Sequence, residues 1–449
     1  MSFSSIEFLF IFLPVFLIIY HLLPSRFKSA SLLVGSLVFY WFAVKNVWML
    51  LLPVIFVLMA YIFGLVARSD RYFSKIFLFV CLVIDFGVLV IFKYAGLLTS
   101  TTLIAPAGLS FYIFTITGYM IGVYRGTQEP ESDILKFSTG MLMFPKLLSG
   151  PIARYSDISE DLSTPGRISY KAFDSGLREL ILGLALKVLL ADRIGGLWSQ
   201  IKTMGFSTIS MPFAWLGIIA FSLQLYFDFY GYSLMAIGLG RMLGFELPVN
   251  FRHPYASKSM TEFWRRWHIT LGTWFRENLY IPLGGNRVNN TRMYINLLIV
   301  WVCTGLWHGS TLNFLLWGIF LFALIALEKH FGLDKKQSPL MHVYMFFAIL
   351  ISWSFFAVTD VKSLFVFLGR LFHIFSSDTV VLKNDWLVYG RQYLIQLIVG
   401  IVLALPFPAK IWKKIRSTPV GSVILFCAFW LSIFFLAVGK NDPFMYFNF

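Results

Sequence analysis

The feature that most constrains this chain is the recurrence of apolar runs about twenty residues long, the length at which a helix crosses the hydrocarbon core of a bilayer. Thirteen such runs fall at roughly 6–23, 29–43, 46–67, 75–92, 105–124, 134–149, 174–191, 213–238, 293–307, 310–328, 341–358, 391–406 and 419–439. The longest polar stretches between them, near 241–292, 329–340 and 374–391, are too short for a soluble domain. Only 13% of the residues are charged and 58% are hydrophobic, where a soluble domain is about a quarter charged. The chain therefore reads as an all-α polytopic membrane protein, a single membrane-embedded domain over 1–449 with its motif core at 221–320.

The net charge is +15. In a membrane protein basic residues gather in cytoplasmic loops, so the excess is assigned to topology and to the lipid bilayer rather than to nucleic acid. Arg26 and Lys28 follow the first run, only Lys45 the second, and Arg68, Arg71 and Lys75 the third, an alternation that puts the N-terminus outside. Lys410, Lys413, Lys414 and Arg416 mark the loop before the last run as cytoplasmic, so the C-terminus is outside as well. Two outside termini need an even number of crossings, and at least one of the thirteen runs must not cross. The run 6–23 has no basic residue before it and no small-x-small site after it, so it is expected to be a retained span and not a signal peptide. Segments 105–124 and 134–149 are rich in Gly, Pro, Ser and Thr, and 174–191 carries Arg178, Glu179 and Lys187. Broken or interfacial helices are expected there, tolerated where protein or water shields their backbone. Cys81, Cys303 and Cys427 lie in apolar runs and are expected to be small buried residues, neither a disulfide framework nor zinc ligands. No internal repeat of the kind common in secondary transporters is visible.

Most of the polar chemistry lies in 221–287. The run that opens it contains Gln224 and Asp228. An intramembrane carboxylate normally faces the bundle interior and has a partner, here an arginine or a tyrosine. Asp228 is then either an interior anchor or part of a reacting centre. Next, Thr261–Arg276 is predicted as one amphipathic helix capped by Ser259 or Thr261. At 100° per residue, Phe263, Trp264, Trp267, Leu271, Trp274 and Phe275 share an arc of about 120°, opposite Arg265, Arg266, Thr273 and Arg276. An aromatic face opposite a basic one marks a helix at an interface, with His268 on the edge of the arc. The arginines either attract anionic headgroups or bind the phosphates of an acyl donor. Gly284-Gly285-Asn286 reads as a tight turn.

Of seven histidines, His21, His330, His342 and His373 sit near run ends or in loops and His253 sits in a polar loop. No pair has the spacing of a helical zinc site, so no metal is expected. His308 differs: it follows Trp307 between two apolar runs, flanked by Gly305 and Gly309, with Asn313 and Trp317 shortly after. The glycines allow close approach of backbone or substrate. The residues alone leave two readings, a neutral imidazole acting as general base or a histidine hydrogen-bonded between helices.

"FWRRWHITLGTWFRENLYIPLGGNR" (263–287) followed by "WVCTGLWHG" (301–309) resembles the membrane-bound O-acyltransferase family, in particular its bacterial branch acting on alginate, peptidoglycan and teichoic acid. The stretches "FSSIEFLFIFLPVFLIIYHLLP", "GLSFYIFTITGYMIGVYRG", "FPKLLSGPIARY", "LQLYFDFYGYSLMAIGLGRMLGFELPVNFRHPY" and "NDPFMYFNF" extend the resemblance over almost the whole chain. It implies a ring of about ten to twelve transmembrane helices around a central funnel, with re-entrant and interfacial helices, in a bacterial cytoplasmic membrane. An acyl thioester, acetyl-CoA or a carrier-protein thioester, enters from the cytoplasm as co-substrate, with no bound cofactor. A hydroxyl acceptor on a polysaccharide enters from outside, commonly with an extracytoplasmic SGNH-type partner protein. His308 matches the family's near-invariant histidine and His268 the second histidine of the branch. Physical chemistry then gives His308 the role of general base, while His268, a nearby Asn or a backbone N–H stabilises the oxyanion. Asp228, Gln224, Arg265, Arg266, Trp307 and Asn313 are the candidates for orienting or binding substrates. The chain departs from the branch at Gly122, where an aspartate is usual, and at Lys146, where a glutamine is usual.

The alternatives are a transporter or flippase with an interior His/Asp site and a non-catalytic scaffold for a partner.

Overall fold

The computed structural model describes residues 1–69, 71–98, 103–163, 168–373 and 382–439, and every regular element among them is helical. The "NDPFMYFNF" stretch lies outside the described residues. In chain order the helices used below are α1 (Leu13–Leu22), α2 (Ser25–Val44), α3 (Val47–Ser69), α4 (Arg71–Leu98), α5 (Leu109–Arg125), α6 (Ile134–Leu142), α7 (Tyr170–Ala185), α8 (Asp192–Met204), α9 (Met211–Leu243), α10 (Met260–Arg266), α11 (Ile269–Phe275), α12 (Asn290–His308), α13 (Leu312–His330), α14 (Leu340–Ala357), α15 (Val361–Leu371), α16 (Asp385–Ala404), α17 (Pro406–Ile415) and α18 (Pro419–Val438).

Among the described residues eight helices are long and apolar enough to cross a membrane: α2, α3, α4, α9, α13, α14, α16 and α18. The burial of these helices differs in a way that assigns their surroundings. Of the most apolar stretch of α9, 72% is buried, against 17–33% for α2, α3, α4, α16 and α18. A helix that is apolar on every side and enclosed belongs to a protein interior; the other five keep large apolar side chains outward, as a lipid-facing helix does.

The remaining apolar runs are shorter or irregular. Run 6–23 begins with a π-helical turn, Phe8–Phe12, before α1. Run 134–149 divides at Met143 into α6, capped by Asp133, and one turn over Phe144–Leu147. Run 174–191 continues α7 into a π-helical turn, Leu186–Ala191, which holds Lys187. The cysteines are free; Cys81 is buried, Cys303 half-buried and Cys427 exposed, so the expectation of burial fails for Cys427 on the outer face of α18.

The chain forms two compact units. Among the described residues one comprises Met1–Leu184 and Tyr232–Val249, with 433–439. Its core is aromatic: Phe144 meets Phe3, Phe8, Phe12, Phe16 and Phe39, and Tyr232 stacks on Phe3 at 4.8 Å. The other comprises Ala185–Gly231 and Asn250–Ser432. There α12 and α13 pack through glycines: a Cβ on Gly305 would stand 2.4 Å from the Phe314 carbonyl oxygen, and one on Gly318 would stand 2.3 Å from that of Trp301. Small residues let helix backbones approach in this way. Of the two readings for Gly305, close approach of backbone is therefore the observed one.

The single amphipathic helix predicted for Thr261–Arg276 is not formed. α10 ends at Arg266, His268 takes a left-handed conformation (φ 44°, ψ 53°), and α11 starts at Ile269. The face that fitted a membrane interface is instead buried in protein, with Phe263, Trp267, Leu271 and Phe275 all enclosed. Ser259, one of the two predicted caps, accepts from the Glu262 N–H at 3.1 Å. Glu328 of α13 supplies a second cap, accepting from the Met260 N–H at 2.7 Å. The turn predicted at Gly284-Gly285-Asn286 is present, with φ 107° and 54° at the two glycines.

Candidate active site

The second unit brings both motif histidines into one aromatic enclosure. His308 is the last residue of α12 and is 3% exposed; His268, in the break between α10 and α11, is 2% exposed. Trp307 contacts both, its ring centroid 6.2 Å from that of His268 and 4.7 Å from that of His308. The edges of Trp317 and Phe356 meet the His308 ring at 5.0 and 5.1 Å, both near perpendicular. Phe229 of α9 meets the His268 ring at 4.7 Å and 90°. Around this lie Phe263, Trp264, Trp267, Trp301 and Trp353, linked by ring contacts of 4.9–6.3 Å. Such an enclosure excludes water and strengthens every polar interaction inside it.

Burial lowers the pKa of His268 to about 3, so its ring is a neutral donor–acceptor at physiological pH. Asn250 faces it: Oδ1 lies 3.4 Å from His268 Nδ1 and accepts the Thr270 hydroxyl at 2.7 Å. Asn313, four residues into the loop and helix after Gly309, is fully buried and donates Nδ2 to the Phe355 carbonyl at 2.8 Å. That bond fixes the amide, and its Oδ1 makes no hydrogen bond among the described residues. Trp307 thus shares the enclosure with the histidines, while the bond of Asn313 ties the start of α13 to the residue before Phe356.

The other candidates are placed differently. Asp228 is 1% exposed and pairs with Lys187, Nζ to Oδ1 3.0 Å, a cation the sequence reading did not put forward as its partner. Lys187 also meets Asp192 at 2.5 Å. The π-helical turn that carries Lys187 shifts the helix phase and so aims this lysine inward; π-turns often mark such sites. It is Phe229, the neighbour of Asp228, that meets His268. Gln224 packs against α8, where a Cβ on Gly195 would stand 2.3 Å from Gln224 Nε2. Arg265 is exposed, and Arg266 is paired with Glu262 in the preceding turn. Gly309 is covered by the Phe314 ring, 2.4 Å from a Cβ placed there, so it holds the aromatic wall close and leaves no open space.

Sequence reasoning missed Lys187, Asn250, Phe229 and Phe356. Lys187 had a signal, a cation inside an apolar run in need of a counter-charge. Asn250 lies eighteen residues before His268 in a polar loop, and nothing local tied the two together.

Comparison with known proteins gives matches across the same region. The family model described as the membrane-bound O-acyltransferase family matches residues 127–342. The chain is 33% identical over 492 aligned positions to a Pseudomonas putida protein named probable alginate O-acetylase, with 100% of each covered. It is 29% identical over 418 positions to a peptidoglycan O-acetyltransferase of Helicobacter pylori, covering 80% of this chain and 78% of that one. It is 33% identical over 227 positions to a teichoic acid D-alanyltransferase of Streptococcus thermophilus, covering 47% and 54%.

Proposed function

This chain belongs to the membrane-bound O-acyltransferase family, and from that premise we propose that it moves an acetyl group from a cytoplasmic thioester to a hydroxyl of an extracytoplasmic polysaccharide. It is a multi-pass membrane enzyme of the O-acyltransferase class. The observation that carries the finer reading is the pair of buried histidines that both contact the Trp307 ring. A hydroxyl attacks a thioester only as its proton leaves. His308 takes that proton, the C–O bond forms, the C–S bond breaks, and the proton passes to the departing thiolate. The aromatic walls keep water from competing for the acyl group. The donor is acetyl-CoA or a carrier-protein thioester, and the enzyme needs no resident cofactor. The acceptor class is alginate-like exopolysaccharide or peptidoglycan, in line with the names of the relatives. An extracytoplasmic SGNH-type protein completes the transfer, and both termini face the outside of the cytoplasmic membrane.

The test is acetyl-ester analysis of surface polymers from a deletion strain complemented with wild type or His308→Ala, with insertion of both checked by immunoblot of membranes. Loss of ester in the variant at equal membrane abundance is expected. Normal ester content there overturns the reading, and saturable ion-coupled uptake into vesicles would favour a transporter in its place.

A further inference from the structure

Asn250 makes a set of contacts that no local pattern accounts for. Its backbone carbonyl accepts the Ile269 N–H at 3.0 Å. Its side-chain Oδ1 accepts the Thr270 N–H at 3.3 Å and the Thr270 hydroxyl at 2.7 Å, and lies 3.4 Å from His268 Nδ1. Two residues on, the Arg252 N–H donates to the Arg266 carbonyl at 3.0 Å. The first N–H groups of a helix need outside acceptors, and α11 has no cap from its own N-cap residue, His268. Asn250 therefore caps α11 from a distant loop, and the same clamp holds His268 in the left-handed region. That conformation is costly for a non-glycine residue and persists only where surroundings impose it.

The clamp also dictates protons. A backbone N–H can only donate, so the carboxamide of Asn250 must turn Oδ1 toward Thr270 and Nδ2 away. A carboxamide oxygen can only accept, so the imidazole nitrogen facing it must carry the hydrogen. His268 is thereby held as the Nδ1–H tautomer with its lone pair on Nε2. An imidazole in that state cannot donate from Nε2, which removes it from the oxyanion role. Asn250 Nδ2, in a residue 1% exposed, makes no hydrogen bond among the described residues. A buried N–H donor left unmatched costs free energy unless a ligand supplies the acceptor.

We infer that Asn250 is the residue that sets the tautomer and turn of His268 and that its Nδ2 is the donor offered to the acyl carbonyl oxygen of the thioester as charge develops there. The assignment rests on the acyl-transfer reading for the identity of the acceptor atom, and on geometry alone for the tautomer.

Two measurements on the full-length protein test it separately. In detergent or nanodiscs, ¹⁵N-histidine spectra of wild type minus His268→Gln read the tautomer of His268 without any turnover. A protonated Nδ1 with a bare Nε2 is expected, and its loss in Asn250→Ala; a protonated Nε2 in the wild type overturns the positioning role. Asn250→Asp keeps an acceptor for Thr270 and lacks the Nδ2 donor. With acetyl-CoA as the probe donor, kcat is expected to fall by about 10²-fold or more with little change in KM. An unchanged kcat in a variant whose His268 spectrum is that of the Nδ1–H form overturns the donor role. Because the spectrum needs no substrate, it stands or falls independently of the His308→Ala test.

Discussion

Breaking the ion pair between Lys187 and Asp228 should cost the fold several kcal/mol and should do so cooperatively. Nζ and Oδ1 are 3.0 Å apart and both side chains are only 2% exposed. At an effective dielectric of about 20 their attraction is roughly 5–6 kcal/mol, before the cost of desolvating each ion. Removing one partner strands the other inside the protein, for which about 3–5 kcal/mol is typical. Lys187→Met is expected at that level, because Asp228 loses the buried ammonium 3.0 Å away. Asp228→Leu is expected to cost less, because Lys187 keeps Asp192, whose side chain is 21% exposed and reaches water. Joining Lys187→Met with Asp228→Leu removes both charges and should recover most of the loss, since apolar replacements of a buried pair are often neutral. The assay is the thermal midpoint of detergent-solubilised protein followed by fluorescence-detected gel filtration, with the four forms compared in one buffer. The single and double variants form a cycle, and a coupling of about 2 kcal/mol or more is expected. Additivity within about 0.5 kcal/mol, the behaviour of independent sites, would refute the claim that these residues act as one buried unit.

The buried neutral state of His268 predicts a sign for acid sensitivity. With its native pKa lowered to about 3 by burial, the folded protein refuses a proton that the unfolded chain binds below about pH 6.5. Stability is therefore full above neutrality and falls as pH drops from about 6.5 toward 3; midpoints measured across that window should show this limb, and His268→Gln should flatten it. The α12–α13 contact predicts that Gly318→Ala destabilises by about 1–3 kcal/mol, because its new Cβ would meet the Trp301 carbonyl oxygen at 2.3 Å. Activity should fall with it, since α12 carries His308 at its end. Gly87→Ala on α4, with nothing within 4 Å, is the control and should leave the midpoint within about 0.5 kcal/mol of wild type.

Membrane class, helical architecture and the two histidine motifs were legible in the chain itself, because bilayer thickness and backbone hydrogen bonding act on every residue of a span and leave a pattern about twenty residues long. His308 and Trp307 are adjacent at the end of α12, and the contact of their rings follows from continuity of that helix. What periodicity could not reveal was where the pattern is interrupted. Thr261–Arg276 has an unbroken amphipathic phase, yet α10 and α11 part at His268, because Asn250, eighteen residues earlier, offers a cap for α11 there. The apolar face of that segment reads the same whether lipid or tryptophan covers it, so only packing assigned it to the protein interior. Asp228 announced a need for a counter-ion without naming one; Lys187 fills that need through a π-turn, which shifts helix phase in a way no residue type encodes. Local sequence sets which groups are present and how each span is written. Partner choice, tautomer and the turn that aims an imidazole are set by contacts tens of residues apart, and those exist only once the helices have packed.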